Sequence, residues 1–585
     1  MTRVNFNRYY QDELTYLREL GEEFARENPK LAPFLGSQAG DPDVERLLEG
    51  FAFLTSRLRQ KLDDEFPELS HSLIGLLWPH FLRPVPAMSI VQFTPLPHVL
   101  TGRQTVPKGV ELDSRVVEGT ACRFQTCFDV ELFPLALTAA ELQESAVGTV
   151  LKLRIELLGG VSLPKLELRS LRLHLCGQPA TAMNLYLWLT RHVRDIQVKA
   201  LEGAESFGLS PAQVQAVGFR PEEGLLPYHD STFMGYRLLQ EYYALPEKFL
   251  FLDIGGLEPV AEFGVDSGFE LVFHLTRPWE EGLRPKSENF RLFCSPVVNL
   301  HKRDAEPIRL DHKQSEYRLR PAADNPAHYE IYSVDRVQAW VQGSGERYEY
   351  LPFESFDFEK STDSGSRYYR TQVKPAVTRR GVETYLSFSA TEHSRTAASE
   401  SVAVELTCTN HSLPDTLRAG DINMATASTP PFVSFTNISR VTTSLAPPLE
   451  GGLQWRLISN MALNYSSLAS VEALRVVLDA YDLRARLDRQ ARRVSQRRLE
   501  GIAAVDVRAI ERFHRGLPVR GLHTRLDVRE SCFGGEGDLY LFATVLNEFF
   551  SLFARINSFH QLTVQGMENG EIYEWPAKIG QQALL

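Results

Sequence analysis

Three adjacent residues spell out the members of a hydrolytic triad. His229, Asp230 and Ser231 stand side by side, but triad members normally meet in space from distant positions, and adjacent side chains splay apart. The chain also lacks the Gly-x-Ser-x-Gly elbow that exposes a nucleophilic serine. A turn followed by a helix cap explains these residues better. Glu222 and Glu223 would suit a glycosidase only if their carboxyls lay ~5–10 Å from a partner, so exposed charge is favoured and a carbohydrate-active enzyme stays an alternative.

Metal and phosphate sites have weak sequence support. Cys122 and Cys127 have no second cysteine pair and no histidine partner at zinc-ligand spacing, so buried free thiols are expected. The glycine-rich stretch at 534–537 lacks the lysine and the spacing of a phosphate-binding loop, and it fits the start of a helix. The sequence therefore predicts no cofactor, no metal site and no catalytic residue.

One stretch is strongly basic. It combines seven arginines with a thin apolar side, and the arginines are Arg484, Arg486, Arg489, Arg492, Arg493, Arg497 and Arg498. A solvated helix face is favoured. The alternatives are docking on an acidic partner or on a phosphate polymer. No aromatic residue interrupts the run, so stacking on single-stranded nucleic acid has no support.

The totals limit the class of protein. The 585 residues suffice for about three to five domains, and 43% of them are hydrophobic, so a large core can form. A net charge of −11 argues against nucleic-acid binding by the chain as a whole. No secretion signal or membrane-spanning stretch is visible, and six cysteines are too few for a disulfide scaffold, so a cytoplasmic protein with free thiols is expected.

The first 87 residues are predicted to be helical. Apolar residues recur every three or four positions along two helices, which places them on one face of each. These residues are Phe6, Tyr10, Leu14 and Leu17 in the first helix, and Val44, Leu47, Phe51, Leu54, Leu58 and Leu62 in the second. Pattern alone favours packing within the chain. A second apolar seam lies beside the Val44–Leu62 stripe, so packing of this helix against partner helices remains an alternative.

The remaining chain is predicted to be α+β and multidomain. After the helical region 1–87 we expect a sandwich-like β domain at 88–220, an α+β region at 221–356, a second β-rich domain at 357–466 and an α+β region at 467–585. The last region is predicted to contain a long apolar helix over about 538–557. Its apolar surface is wide enough for burial on two sides, and Phe542, Phe549 and Phe550 are candidates for a partner interface.

The chain resembles the TssF family (also called VasA or ImpG), baseplate subunits of the bacterial type VI secretion system. The resemblance rests on ordered blocks from one end to the other, among them NRYYQDELTYLRELGEEFARENPKLAPFLG, LLWPHFLRPVPAMSI, GYRLLQEYYALPEKFLFLDI, CSPVVNLHKRDAEPI, WRLISNMALNYSSL and GDLYLFATVLNEFFSLFARINSFHQL. Such long blocks in one order are not expected by chance.

The resemblance implies an assembly protein rather than an enzyme. Members of the family are expected to pair with TssG, as two TssF copies per TssG, and to build wedges with TssK and TssE around the VgrG hub, from which tube and sheath grow. The baseplate is expected at the cytoplasmic side of the inner-membrane complex. The resemblance also raises the partner interpretation of the first helices above the intramolecular one.

Overall fold

The computed structural model describes residues 10–11, 14–17, 20, 42–63, 67–145, 148–228, 233–263, 267–279, 284–311, 313–341, 346–353, 367–376, 381–390, 400–449, 470–514, 516–554 and 557–580. The chain divides into two compact units. The first contains Met1–Trp78 and Pro448–Ser459, and the second contains Pro79–Pro447 and Asn460–Leu585.

The described part of the first unit is mainly helical. Residues 10–11, 14–17 and 20 are helical, followed by α1 (Pro42–Asp63) and α2 (Pro67–Leu77). Both helices start with a proline, because the ring fixes a helical φ and the missing N–H would have had no partner in the first turn. This confirms the predicted second helix. Helix α2 ends at Leu77, and Phe81 belongs to a separate 3-10 helix, Pro79–Leu82.

Among the residues that the structure describes, the second unit contains six sheets. In spatial order, the six-stranded sheet consists of β24 (Ile422–Ala425), β3 (Glu111–Val117), β4 (Thr120–Thr126), β15 (Cys294–Val298), β1 (Met88–Pro95) and β25 (Val433–Asn437). The five-stranded sheet consists of β10 (Ser206–Leu209), β9 (Val193–Ala200), β13 (Gly268–Leu275), β7 (Gly148–Leu157) and β6 (Leu135–Ser145). The four-stranded sheet consists of β11 (Val214–Val217), β12 (Phe251–Gly255), β8 (Ser170–Leu175) and β14 (Phe290–Leu292).

Of the other three sheets, two lie later in the chain and one is a short pair of strands near its start. The largest consists of β16 (His301–Asp304), β23 (Glu400–Thr409), β19 (Glu330–Val341), β20 (Arg347–Pro352), β21 (Arg367–Pro375), β22 (Val382–Ala390) and β18 (Tyr317–Arg318), with β17 (Ile308–Leu310) on β23. The short pair consists of β2 (Gln104–Val106) and β5 (Val130–Leu132). The C-terminal sheet consists of β26 (Ile502–His514), β27 (Leu517–Val528), β28 (Ser558–Gly566) and β29 (Ile572–Glu574), with β30 (Lys578–Ile579) on β28.

The sheets cross the predicted domain boundaries. Strand β1 pairs on one side with β15, where Met88 lies opposite Val298, and on the other side with β25, where Phe93 lies opposite Phe435. The six-stranded sheet therefore joins segments from three of the five predicted regions. The boundaries themselves stay a prediction.

The described part of the second unit also contains six α-helices: α3 (Pro179–Arg191), α4 (Gly235–Ala244), α5 (Val471–Tyr481), α6 (Leu483–Leu487), α7 (Arg489–Gly501) and α8 (Glu536–Ser551). Helix α8 connects β27 to β28, which are parallel, because parallel neighbours need a crossover connection. The α+β, β-rich class is confirmed. The long apolar helix is not, since α8 spans 16 residues and ends at Ser551 rather than near Asn557.

Candidate partner interface

Helix α1 presents an apolar face to solvent. Leu47, Phe51 and Leu54 are 74%, 59% and 61% exposed, and their spacing of four and three residues places them on one face. Ala52 and Ser56 on another side of the helix are fully buried. The helix therefore buries small residues and exposes large ones, the reverse of an ordinary surface helix of a monomer.

The other predicted interface residues in the first unit differ in exposure. Leu14 is buried, while Tyr10 and Leu17 are half-buried. Phe6 lies outside the described residues. Val44, Leu58 and Leu62 lie within α1, but their side chains are outside the described part. The structure therefore identifies Leu47, Phe51 and Leu54 as the exposed part of the predicted stripe.

Three predicted interface residues belong instead to the interior of the second unit. Phe542, Phe549 and Phe550 are 2%, 0% and 1% exposed. Helix α8 contacts α3, α4 and β28, so the chain itself covers both apolar seams. Their assignment to a partner interface was wrong, because width of apolar surface indicates burial on two sides without indicating which chain provides the cover.

The stretch at 534–537 is the start of a helix, as predicted. Gly535, with a φ of 133°, precedes the first turn of α8. The backbone N–H of Gly537 donates to Asn184 Oδ1 at 2.9 Å. A Cβ at Gly537 would lie 2.4 Å from the backbone of Met183 and Asn184. This glycine therefore permits close packing of α8 on α3.

Cys122 and Cys127 are not part of an assembled site among the described residues. Cys122 and Cys127 are buried free thiols, and burial raises the pKa of Cys122 to about 11 and the pKa of Cys127 to about 12. Both thiols are thus protonated at neutral pH. His229, Asp230 and Ser231 lie outside the described residues. Within the described ranges, no group of three or more metal-ligating side chains is placed to hold an ion.

The basic run forms the end of a broken helical segment. Asp482 and Asp488 accept hydrogen bonds from the backbone N–H groups of Ala485 and Gln490, so each aspartate starts a new helix and the segment divides into α5, α6 and α7. The predicted solvated face is confirmed for five members, Arg484, Arg489, Arg492, Arg493 and Arg497. Arg498 is mostly buried and ion-paired with Asp538.

Sequence reasoning missed one exposed element, the hairpin of β26 and β27. Its tip exposes Phe513 and Leu517 by 83% and 69%. The alternation of Val505 and Val507 with Asp506 and Arg508 is typical of a half-buried strand and was the signal that could have found it.

The described helices include none with the length and apolar content that a membrane crossing requires. A multi-sheet scaffold with a helix that exposes large apolar residues defines the class of assembly subunits, in which such faces are buried against other chains.

Comparison with known proteins identifies the assembly. The family model described as type VI secretion system, TssF, matches residues 2–582. The type VI secretion system component TssF1 of Pseudomonas aeruginosa is 31% identical over 99% of this chain and 99% of that protein. The chain belongs to the TssF family.

Two solved structures share the fold. One is the TssK-TssF-TssG baseplate subcomplex of the type VI secretion system determined by cryo-electron microscopy, with 33% identity, a TM-score of 0.77, and coverage of 92% of this chain and 99% of that chain. The other is the baseplate complex from the type VI secretion system, with 30% identity, a TM-score of 0.69, and coverage of 99% and 100%. TssF, the family of this chain, is thus a component of the type VI secretion baseplate.

Proposed function

We propose that this chain is a structural, non-enzymatic subunit of the baseplate wedge and binds TssG, TssK and a second copy of itself. TssE, the VgrG hub and the sheath are further neighbours in the proposed wedge, which starts tube and sheath assembly at the cytoplasmic side of the membrane complex. The family membership supports the assembly, and the solved subcomplex of TssF relatives with TssK and TssG supports these two partners.

The exposed face of α1 is the observation that carries the proposed mechanism. Burial of a Leu or Phe side chain contributes roughly 1.5–3 kcal/mol, so Leu47, Phe51 and Leu54 together would stabilise a helical bundle strongly. The bundle is proposed to contain the Phe6–Phe24 and Val44–Leu62 segments of two copies and helices of TssG. Obligate interfaces of this kind are large and apolar.

Charged substitutions in this face test the mechanism. Phe51→Glu combined with Leu54→Glu places two carboxylates where an apolar partner would pack, and co-purification with TssG should be lost. The β-rich second unit should unfold at an unchanged temperature, because both positions are exposed. The matched control is Arg46→Glu, an exposed position on the same helix.

Two outcomes separate the alternatives. Loss of the complex in the double variant with retention in Arg46→Glu supports the interface. Retention of the complex in the double variant refutes it, while leaving the family membership untouched.

A further inference from the structure

The hairpin of β26 and β27 ends the C-terminal sheet with an open edge. The register runs without a shift from Ala504 opposite Asp527 to His514 opposite Leu517. Strand β26 is outermost in the order β26-β27-β28-β29. From Val505 onward, the backbone of β26 pairs with β27 and with no other strand among the described residues. Its outward N–H and C=O groups form a template for another strand.

The two faces of this edge differ in chemistry. Val505 and Val507 are half-buried and lie opposite Leu526 and Thr524, which are 2% and 1% exposed, so this face is covered at these two positions. Farther along β26 the same face is exposed, at Glu511. Side chains of successive residues alternate between faces, and Arg508 therefore belongs to the other face, which is exposed. Along 505–508, a strand added to β26 would place its side chains alternately beside the two valines and on the face that carries Arg508.

The arginines of the exposed face are available to a partner. Arg508 pairs with Asp506 at 2.7 Å, but the side chains are 75% and 47% exposed, and exposed ion pairs contribute little. Arg512, on the same face, is exposed and has no ion pair among the described residues. Both guanidinium groups can therefore bind a carboxylate without losing a strong internal contact.

The surrounding charge favours an acidic partner. The hairpin, residues 502–528, contains five arginines, no lysine and three acidic residues, a net charge of +2 in a chain of net charge −11. The apolar tip with Phe513 and Leu517 and the free backbone edge suit a polypeptide rather than a phosphate polymer, since a phosphate polymer cannot complete a β ladder.

We propose that β26 is a docking edge for an extended segment of a partner protein in which apolar and acidic residues alternate. The segment adds as a strand, its apolar side chains next to Val505 and Val507 and its carboxylates next to Arg508 and Arg512. This surface is distinct from the exposed face of α1, and its test does not involve TssG, so either proposal can fail alone.

The test uses the full-length chain and a fluorescent ten-residue peptide of alternating Val and Glu, followed by anisotropy. We expect saturable binding, and at least a tenfold weaker affinity for the variant Arg508→Glu combined with Arg512→Glu. The same variant should gain affinity for a peptide of alternating Val and Lys. Arg309→Glu, an exposed arginine of β17, is the matched control and should bind like the unaltered chain.

A backbone-methylated peptide separates strand addition from charge attraction. N-methylation of alternate residues removes the donors of the ladder while it keeps every carboxylate, so binding to the unaltered chain should be lost. Equal binding of the methylated peptide overturns the proposal. Binding of polyphosphate without binding of the peptide overturns it as well. If the double variant fails to fold, the methylation comparison still decides.

Discussion

Arg498 is mostly buried and ion-paired, whereas most arginines near it in the sequence are exposed. Its Nη2 donates to Asp538 Oδ1 and Oδ2 at 2.8 and 2.9 Å. Its guanidinium lies 5.8–5.9 Å from the ring centres of Tyr242, Phe533 and Phe542. Asp538 also accepts from the backbone N–H of Gly534 at 2.9 Å. The pair thus joins α7 to the first turn of α8, where the helix dipole favours a carboxylate.

Removal of this arginine should be costly. In Arg498→Ala, Asp538, whose side chain is 9% exposed in the intact pair, loses its cation, and breaking a buried pair in this way costs about 3 kcal/mol or more. Arg493→Ala, at an exposed position of the same helix, should stay within about 0.5 kcal/mol of the unaltered chain. Urea unfolding followed by circular dichroism measures both, and equal midpoints would contradict a structural role for the pair.

At the scale of elements, the sequence indicates which face of a strand is buried better than it indicates which strand pairs with it. Apolar and polar residues alternate at 151–157 and 402–408, a pattern typical of half-buried strands, and these residues lie in β7 and β23, with alternating burial along β7. The alternation of apolar residues changes phase at Ser170, and β8 starts there in a different sheet from β7. Periodicity could not reveal that β1 pairs with strands some 200 and 340 residues away, because a period fixes a side chain's face and not its neighbour.

The helix α8 gives the sharpest test of packing between elements. Gly537→Ala inserts a methyl group 2.4 Å from the backbone of α3, which must shift, and overpacking of this kind costs typically ~1–3 kcal/mol. Gly50→Ala makes the same substitution inside α1, where nothing lies within 4 Å, and alanine is the better helix former there. Thermal unfolding should therefore shift downward only for Gly537→Ala. A lowered unfolding temperature in both variants would show that alanine destabilises either position, and would contradict a specific role of Gly537 in packing.

The whole molecule depends on long-range strand pairing. A fragment of residues 88–220 contains β1 but lacks β15 and β25, the strands on its two sides. Both edges of β1 would then present unpaired backbone groups. We expect this fragment to aggregate or to show no cooperative unfolding. A fragment that unfolds cooperatively at the temperature of the full chain would show that 88–220 is an independent domain.

Burial of neutral histidines makes the second unit sensitive to acid. Burial lowers the pKa of His80, His174, His301 and His560 to about 3 and the pKa of His192 to about 4. The unfolded chain takes up these protons near pH 6.5 and the folded chain does not. The unfolded state therefore binds more protons between about pH 3 and pH 6.5, and the stability falls as the pH decreases through that range.

His174 isolates one contribution to this slope. Its ring stacks on Phe251 at 4.3 Å, and a phenyl ring can take its place. Each such histidine adds up to about 1.4 kcal/mol of stability per pH unit, so His174→Phe should flatten the curve of unfolding free energy against pH by about that slope between pH 6 and pH 4. The slope is the informative quantity, because the new ring also changes the stability at neutral pH by its shape. Parallel curves for the variant and the unaltered chain would show that His174 is already protonated in the folded state, and the acid sensitivity would then have to arise from other groups.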